Sequence, residues 1–141
     1  MFDLRFCGSG FLLSLLIVLV GCGSDKPRMV VCTGKVTHKG NPVTAGSINF
    51  FPDAGNSFQK DNPSSILQMD GSFAAKTFPW GEGIPPGTYR VTLAPQLASR
   101  LNAQAYASPE KTPWKIEIPE GGVVDKIFEV KTPEPETDPN N

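Results

Sequence analysis

The chain has 141 residues, room for one domain, and its net charge of −1 gives no basic footprint for nucleic acid. Fourteen glycines and fourteen prolines interrupt helices and central strands, which excludes a helical bundle. Lys and Arg are scattered along the sequence and do not gather into one run.

Residues 11–20, Phe-Leu-Leu-Ser-Leu-Leu-Ile-Val-Leu-Val, are continuously apolar apart from one serine. As a helix, ten residues rise about 15 Å, half of a hydrocarbon core of roughly 30 Å. The run is too short to span a bilayer and suits the apolar core of a secretory signal. It ends at Leu19-Val20-Gly21-Cys22, which resembles the lipobox of bacterial lipoproteins. The resemblance implies a signal peptide over 1–21 and a diacylated thiol on Cys22, with membrane attachment through several acyl chains. Gly23, in place of an aspartate after Cys22, points to the outer membrane. With Cys7 lost and Cys22 lipidated, Cys32 is left without a cysteine partner in an oxidising compartment, and is expected to be a small buried hydrophobe.

Residues 22–28 read as a short lipidated tether, whose six residues after Cys22 reach about 20 Å if extended. Seven strands are predicted over 29–131. The first covers 29–37 and is followed by the turn His38-Lys39-Gly40-Asn41-Pro42, where Gly40 and Asn41 are the residues suited to positive φ. The second covers 46–51 and stops at Pro52, before a polar loop over 53–63. The third (65–69) and fourth (72–78) flank Asp70-Gly71, a hairpin signal. Trp80 to Gly87 forms a rigid turn ending in Pro85-Pro86-Gly87, and the fifth strand follows at 88–93. A loop over 94–113 has room for one or two helical turns within 97–107. The sixth and seventh strands cover 114–118 and 123–130. Residues 132–141 carry three acids, three prolines and no apolar side chain, and are expected to be a disordered tail. Seven short strands in this length predict an all-β, antiparallel, Ig-like or prealbumin-like β-sandwich. Phe50, Phe73, Tyr89, Val91, Ile116 and Phe128 are the expected core, with the Tyr89 hydroxyl tied to nearby backbone.

Four segments in order, GKVTHKGNPVTAGSINFFP, MDGSF, GIPPGTYRVTL and SPEKTPWKIEIPEGG, resemble small bacterial lipoproteins carrying a carboxypeptidase-regulatory-like domain of transthyretin (prealbumin) type. The resemblance runs from about Val31 to Val130. It implies a β-sandwich without catalytic residues, acting as a stability or docking module.

The chemistry is sparse. The one histidine, His38, sits in a turn and cannot build a histidine triad or a multi-histidine zinc site. Gln68-Met69-Asp70-Gly71 lacks the first carboxylate and the closing glutamate of a calcium loop and reads as a hairpin. No cofactor beyond the lipid on Cys22 is expected, and no enzymatic activity. Trp80, Trp114 and Tyr106 are the candidate ligand-facing aromatics. They either stack on sugar rings or seal the ends of the core. The expected function is a membrane-anchored structural or protein-interaction module of the cell envelope. The alternative is a carbohydrate-binding module. The expected partners are the membrane and an envelope protein or glycan.

Overall fold

Burial alternates with a period of two along the strands, and this alternation builds the core. The computed structural model describes residues 25–133. Its strands are β1 (Cys32–His38), β2 (Asn41–Pro42), β3 (Ser47–Pro52), β4 (Ser64–Ile66), β5 (Ser72–Ala74), β6 (Lys76–Thr77), β7 (Gly81–Glu82), β8 (Gly87–Leu93), β9 (Lys115–Ile118) and β10 (Val123–Val130). Cys32 and Val36 of β1, Tyr89, Val91 and Leu93 of β8, and Phe128 and Val130 of β10 all turn inward and are buried. All six expected core residues lie in this cluster.

Two sheets form the sandwich. One runs β10-β1-β2, with β5 also paired to β1; the other runs β7-β6-β4-β3-β8-β9. The expected all-β sandwich is the architecture observed. Three local features refine it. The predicted strand over 72–78 is divided between the sheets. Its first half, β5, pairs with β1 and its second half, β6, pairs with β4. Ala75 makes the crossing, its N–H donating to the Cys32 carbonyl and its own carbonyl accepting from Gly83, both at 2.9 Å. The Asp70-Gly71 turn forms, with Gly71 N–H on the Gln68 carbonyl and Ser72 N–H on Asp70 Oδ1 at 3.0 Å, but it joins strands of different sheets. Finally, the β1–β2 turn takes positive φ at Lys39 (51°) and Gly40 (77°), the two central positions of the hairpin, rather than at Asn41.

Most ladders are antiparallel, but β10 pairs with β1 in parallel, from Cys32↔Val123 to His38↔Val130. The reason lies in the connection. β9 belongs to the other sheet, and the turn at 119–122 carries the chain across, so that β10 starts beside the beginning of β1. The described chain therefore enters the sandwich at one end and leaves it at the other. At the entry end, Arg28 pairs with Glu120 at 2.6 Å and Val30 bridges to Ile84. At the exit end, His38 Nε2 lies 3.4 Å from Thr132 Oγ1.

The β1–β10 ladder holds one bulge. Val124 and Asp125 together face Thr33, and Asp125 takes φ 56°. Gly34 is required here, because a Cβ would fall 2.0 Å from the Lys126 carbonyl oxygen.

The expected helical turns are a helix, α1 (Pro95–Arg100), and a 3-10 turn (Gln104–Ala107). Pro95 opens α1 at its first turn, where a missing N–H costs nothing. Asn102, at φ 54°, ends it in the left-handed conformation common after helices. Leu97, Ala98 and Tyr106 are buried, so this connection caps the exit end of the core.

Candidate functional site

Trp114 and Tyr106 come together and Trp80 does not join them. Trp114 lies just ahead of β9, with its carbonyl accepting from Val91 N–H at 3.0 Å. Thr112, buried beside it, donates its hydroxyl to the Val91 carbonyl at 2.7 Å and accepts from Trp114 N–H at 3.2 Å. The indole N–H donates to the Glu129 carbonyl of β10 at 3.2 Å. The Trp114 ring sits 4.6 Å from Tyr106, edge to face, and 5.1 Å from Phe128. The Tyr106 hydroxyl donates to the Lys131 carbonyl at 3.3 Å and accepts from Lys131 N–H at 2.9 Å. Both aromatics thus stitch the segment after α1 to the end of β10. Tyr106 is buried and Trp114 is half-buried.

Trp80 lies in the turn between β6 and β7, also half-buried, with its indole N–H on Asp61 Oδ2 at 3.2 Å. β6 and β9 are separated by three strands, about 19 Å at the usual interstrand spacing. Trp80 and Trp114 therefore sit at opposite edges of the sheet and share no stacking platform.

Around Trp114 the edges of β9 and β10 leave an open groove of about 390 Å³, within the range of small-ligand sites. Tyr106, Trp114 and Phe128 form its aromatic wall, and Lys115, Lys126 and Lys131 stand around it with Glu129. Lys115 is engaged by Asp53 at 3.3 Å. Lys126 Nζ lies 5.7 Å from the centre of the Phe128 ring. These lysines are spread over seventeen positions of sequence, and only the β9–β10 crossing gathers them. No run of basic residues signals them in advance.

A second cavity of about 340 Å³ lies at the exit end, near His38, Lys39 and Arg100. The Arg100 guanidinium is spent on the backbone, donating to the Thr44 and Ala45 carbonyls. His38, expected in the turn, is instead the last residue of β1, because the two-residue turn is Lys39-Gly40, and its Nε2 lies 3.4 Å from Thr132 Oγ1.

The groups with displaced pKa values lie away from the groove. Burial pushes the Cys32 thiol up to about 11, which keeps it protonated and inert at neutral pH. Burial, and then the charge of Cys32, push the Tyr89 hydroxyl up to about 12. Hydrogen bonds from Ser72 hold the Asp70 carboxyl below its ordinary value, and one from Ser108 does the same for Glu110. Both carboxyls serve their own turns. Among the described residues, no three His, Cys, Asp or Glu side chains are placed to hold a metal, and no helix is long and apolar enough to cross a membrane.

The expected signal peptide over 1–21, the acylation candidate Cys22 and the expected tail beyond Pro133 lie outside the described residues. Searches against family models, curated proteins and solved structures found no match to this chain.

Proposed function

We propose that this chain is a cell-envelope lipoprotein, held to a membrane through lipid on Cys22, whose sandwich is a non-catalytic interaction module of the carboxypeptidase-regulatory-like kind. The observation that carries the reading is the parallel β1–β10 ladder. It separates the end where the tether enters from the end where the chain leaves. Eight residues of β10 amount to about 23 Å of rise. A module anchored at its N-terminus through a short tether then holds its entry end against the bilayer. Its opposite end, with the Trp114 half of the groove, is presented to the envelope space.

The absence of catalysis is part of the proposal. Its support is that the strongly shifted titratable groups, Cys32 and Tyr89, are sealed in the core, and that Asp70 and Glu110 are fully exposed turn residues. The partner is an envelope protein or glycan, and the membrane is the outer one. The test of attachment is metabolic labelling with palmitate. The wild-type chain takes up label and a Cys22→Ala chain does not. Equal labelling of the two refutes the anchor.

A further inference from the structure

We propose that the groove between β9 and β10 binds an acidic saccharide, a sugar chain bearing carboxylates. This names the partner class for the interaction module, and rests on that reading only for the direction in which the groove faces.

Trp114 supplies the stacking surface. Its N–H is pinned to the Glu129 carbonyl, and Tyr106 and Phe128 pack against the ring, so the half-exposed indole is held in place before any ligand arrives. A preorganised aromatic loses little conformational freedom on binding. A sugar ring offers it a flat apolar face of C–H groups.

The charges define the ligand further. Three lysines and one glutamate line the groove, an excess of positive charge on a chain whose overall charge is −1. Lys115 is already engaged by Asp53. Lys126 and Lys131 have no carboxylate within ion-pair distance among the described residues. They are two ammonium donors without a carboxylate partner, Lys126 over the Phe128 ring, which matches a ligand carrying both carboxylates and apolar ring faces. Glu129 then accepts from sugar hydroxyls, which an acidic peptide lacks unless it carries Ser or Thr. The chain's own acidic tail is a second source of carboxylates. Of that tail, Thr132 is turned toward His38 of β1, its Oγ1 3.4 Å from Nε2, and the acids that follow lie outside the described residues.

The test uses the full-length lipidated protein in detergent micelles, titrated with a galacturonic acid oligomer and followed by calorimetry and tryptophan fluorescence. Saturable binding that weakens as salt rises is expected, because exposed charges are screened. An uncharged cello-oligosaccharide of equal length should bind about ten-fold more weakly. The surface double variant Lys126→Gln/Lys131→Gln should lose about ten-fold, within the roughly two- to thirty-fold that two exposed ion pairs are worth together. Trp114→Ala should lose about two- to ten-fold, while Trp80→Phe should bind as the wild type does. The lysine pair keeps the test decisive if Trp114→Ala disturbs the fold. No binding, binding untouched by the lysine pair, or equal binding of poly-L-glutamate overturns the proposal. Binding is read in micelles and does not depend on attachment in the cell, so its failure leaves the anchored-module reading standing.

Discussion

Replacing Tyr89 with phenylalanine removes one oxygen and leaves the ring in place. The ring is 1% exposed and meets Phe50 edge to face at 6.3 Å. Its hydroxyl donates to the Pro85 carbonyl at 2.6 Å, tying β8 back to the Pro85-Pro86-Gly87 corner from which it springs. An intramolecular hydrogen bond is worth about 1 kcal/mol net, and a buried acceptor left unpaired costs about 1–3 kcal/mol. Pro85 is itself buried, so water reaches its carbonyl poorly and the upper part of that range applies. The expected loss for Tyr89→Phe is about 2 kcal/mol. Tyr89→Ala adds a large cavity and should cost about 3–5 kcal/mol. Against a typical total of about 5–15 kcal/mol, the second variant approaches unfolding. Urea titration of the two variants and the wild type measures both losses. The expected result is a lowered midpoint for Tyr89→Phe at an unchanged slope. A Tyr89→Phe protein within about 0.3 kcal/mol of wild type, well below the ~1 kcal/mol of one hydrogen bond, would refute the corner argument. It would mean that the chain reversal is held by the backbone alone.

Gly34→Ala should cost roughly 3 kcal/mol, read as a lowered thermal midpoint, because its Cβ would press on the Lys126 backbone at 2.0 Å and the bulge cannot yield without shifting β10. Asn56→Ala should cost about 1–3 kcal/mol by the same measurement. The Asn56 amide donates to the Thr88 carbonyl and accepts from Thr88 N–H, both at 2.9 Å, and so pins the loop after β3 to the start of β8. The pH dependence is alkaline. Cys32 and Tyr89 both have folded pKa values raised above their ordinary 9.0 and 10.0, so their contributions are complete below those values. They are lost as pH rises through about 11 and about 12. Urea midpoints should hold steady to about pH 8.5 and then fall, and Cys32→Ala should delay the onset; an unchanged onset in that variant contradicts the assignment to Cys32.

The sandwich was legible because its signals are local. The period of two at Tyr89, Val91 and Leu93 marks an inward face, and Pro85-Pro86-Gly87 marks a corner. Gly87, at φ +148°, occupies a conformation that other residues reach only under strain. The division of the strand over 72–78 was hidden, because Phe73, Ala75 and Thr77 alternate inward without interruption across the change of sheet. Nothing in that pattern says which neighbour each half pairs with. The direction of β10 was hidden for a related reason, since it follows from a crossing between sheets and not from its own residues. The groove escaped for both reasons together. Trp114 and Tyr106 were visible as aromatics near loops, but Lys115, Lys126 and Lys131 meet only once β9 and β10 are placed at facing edges. Trp80 resembled them in composition alone, and its place in the β6–β7 turn puts it at the far edge.

If the domain is anchored as proposed, its orientation on the membrane can be read with a fluorophore on a single introduced cysteine. Cys32 is buried and, on the reading above, Cys22 carries lipid, so neither competes for the label. Gly55 lies in the loop after β3 at the entry end, and a Cβ there meets nothing within 4 Å. Asn41 lies at the opposite end and is exposed. With a quencher attached to lipid headgroups, a label at Gly55→Cys should be strongly quenched. A label at Asn41→Cys, farther by about 23 Å, the rise of a strand the length of β10, should be quenched little. Equal quenching at the two positions would contradict an anchored domain that stands with its entry end on the membrane.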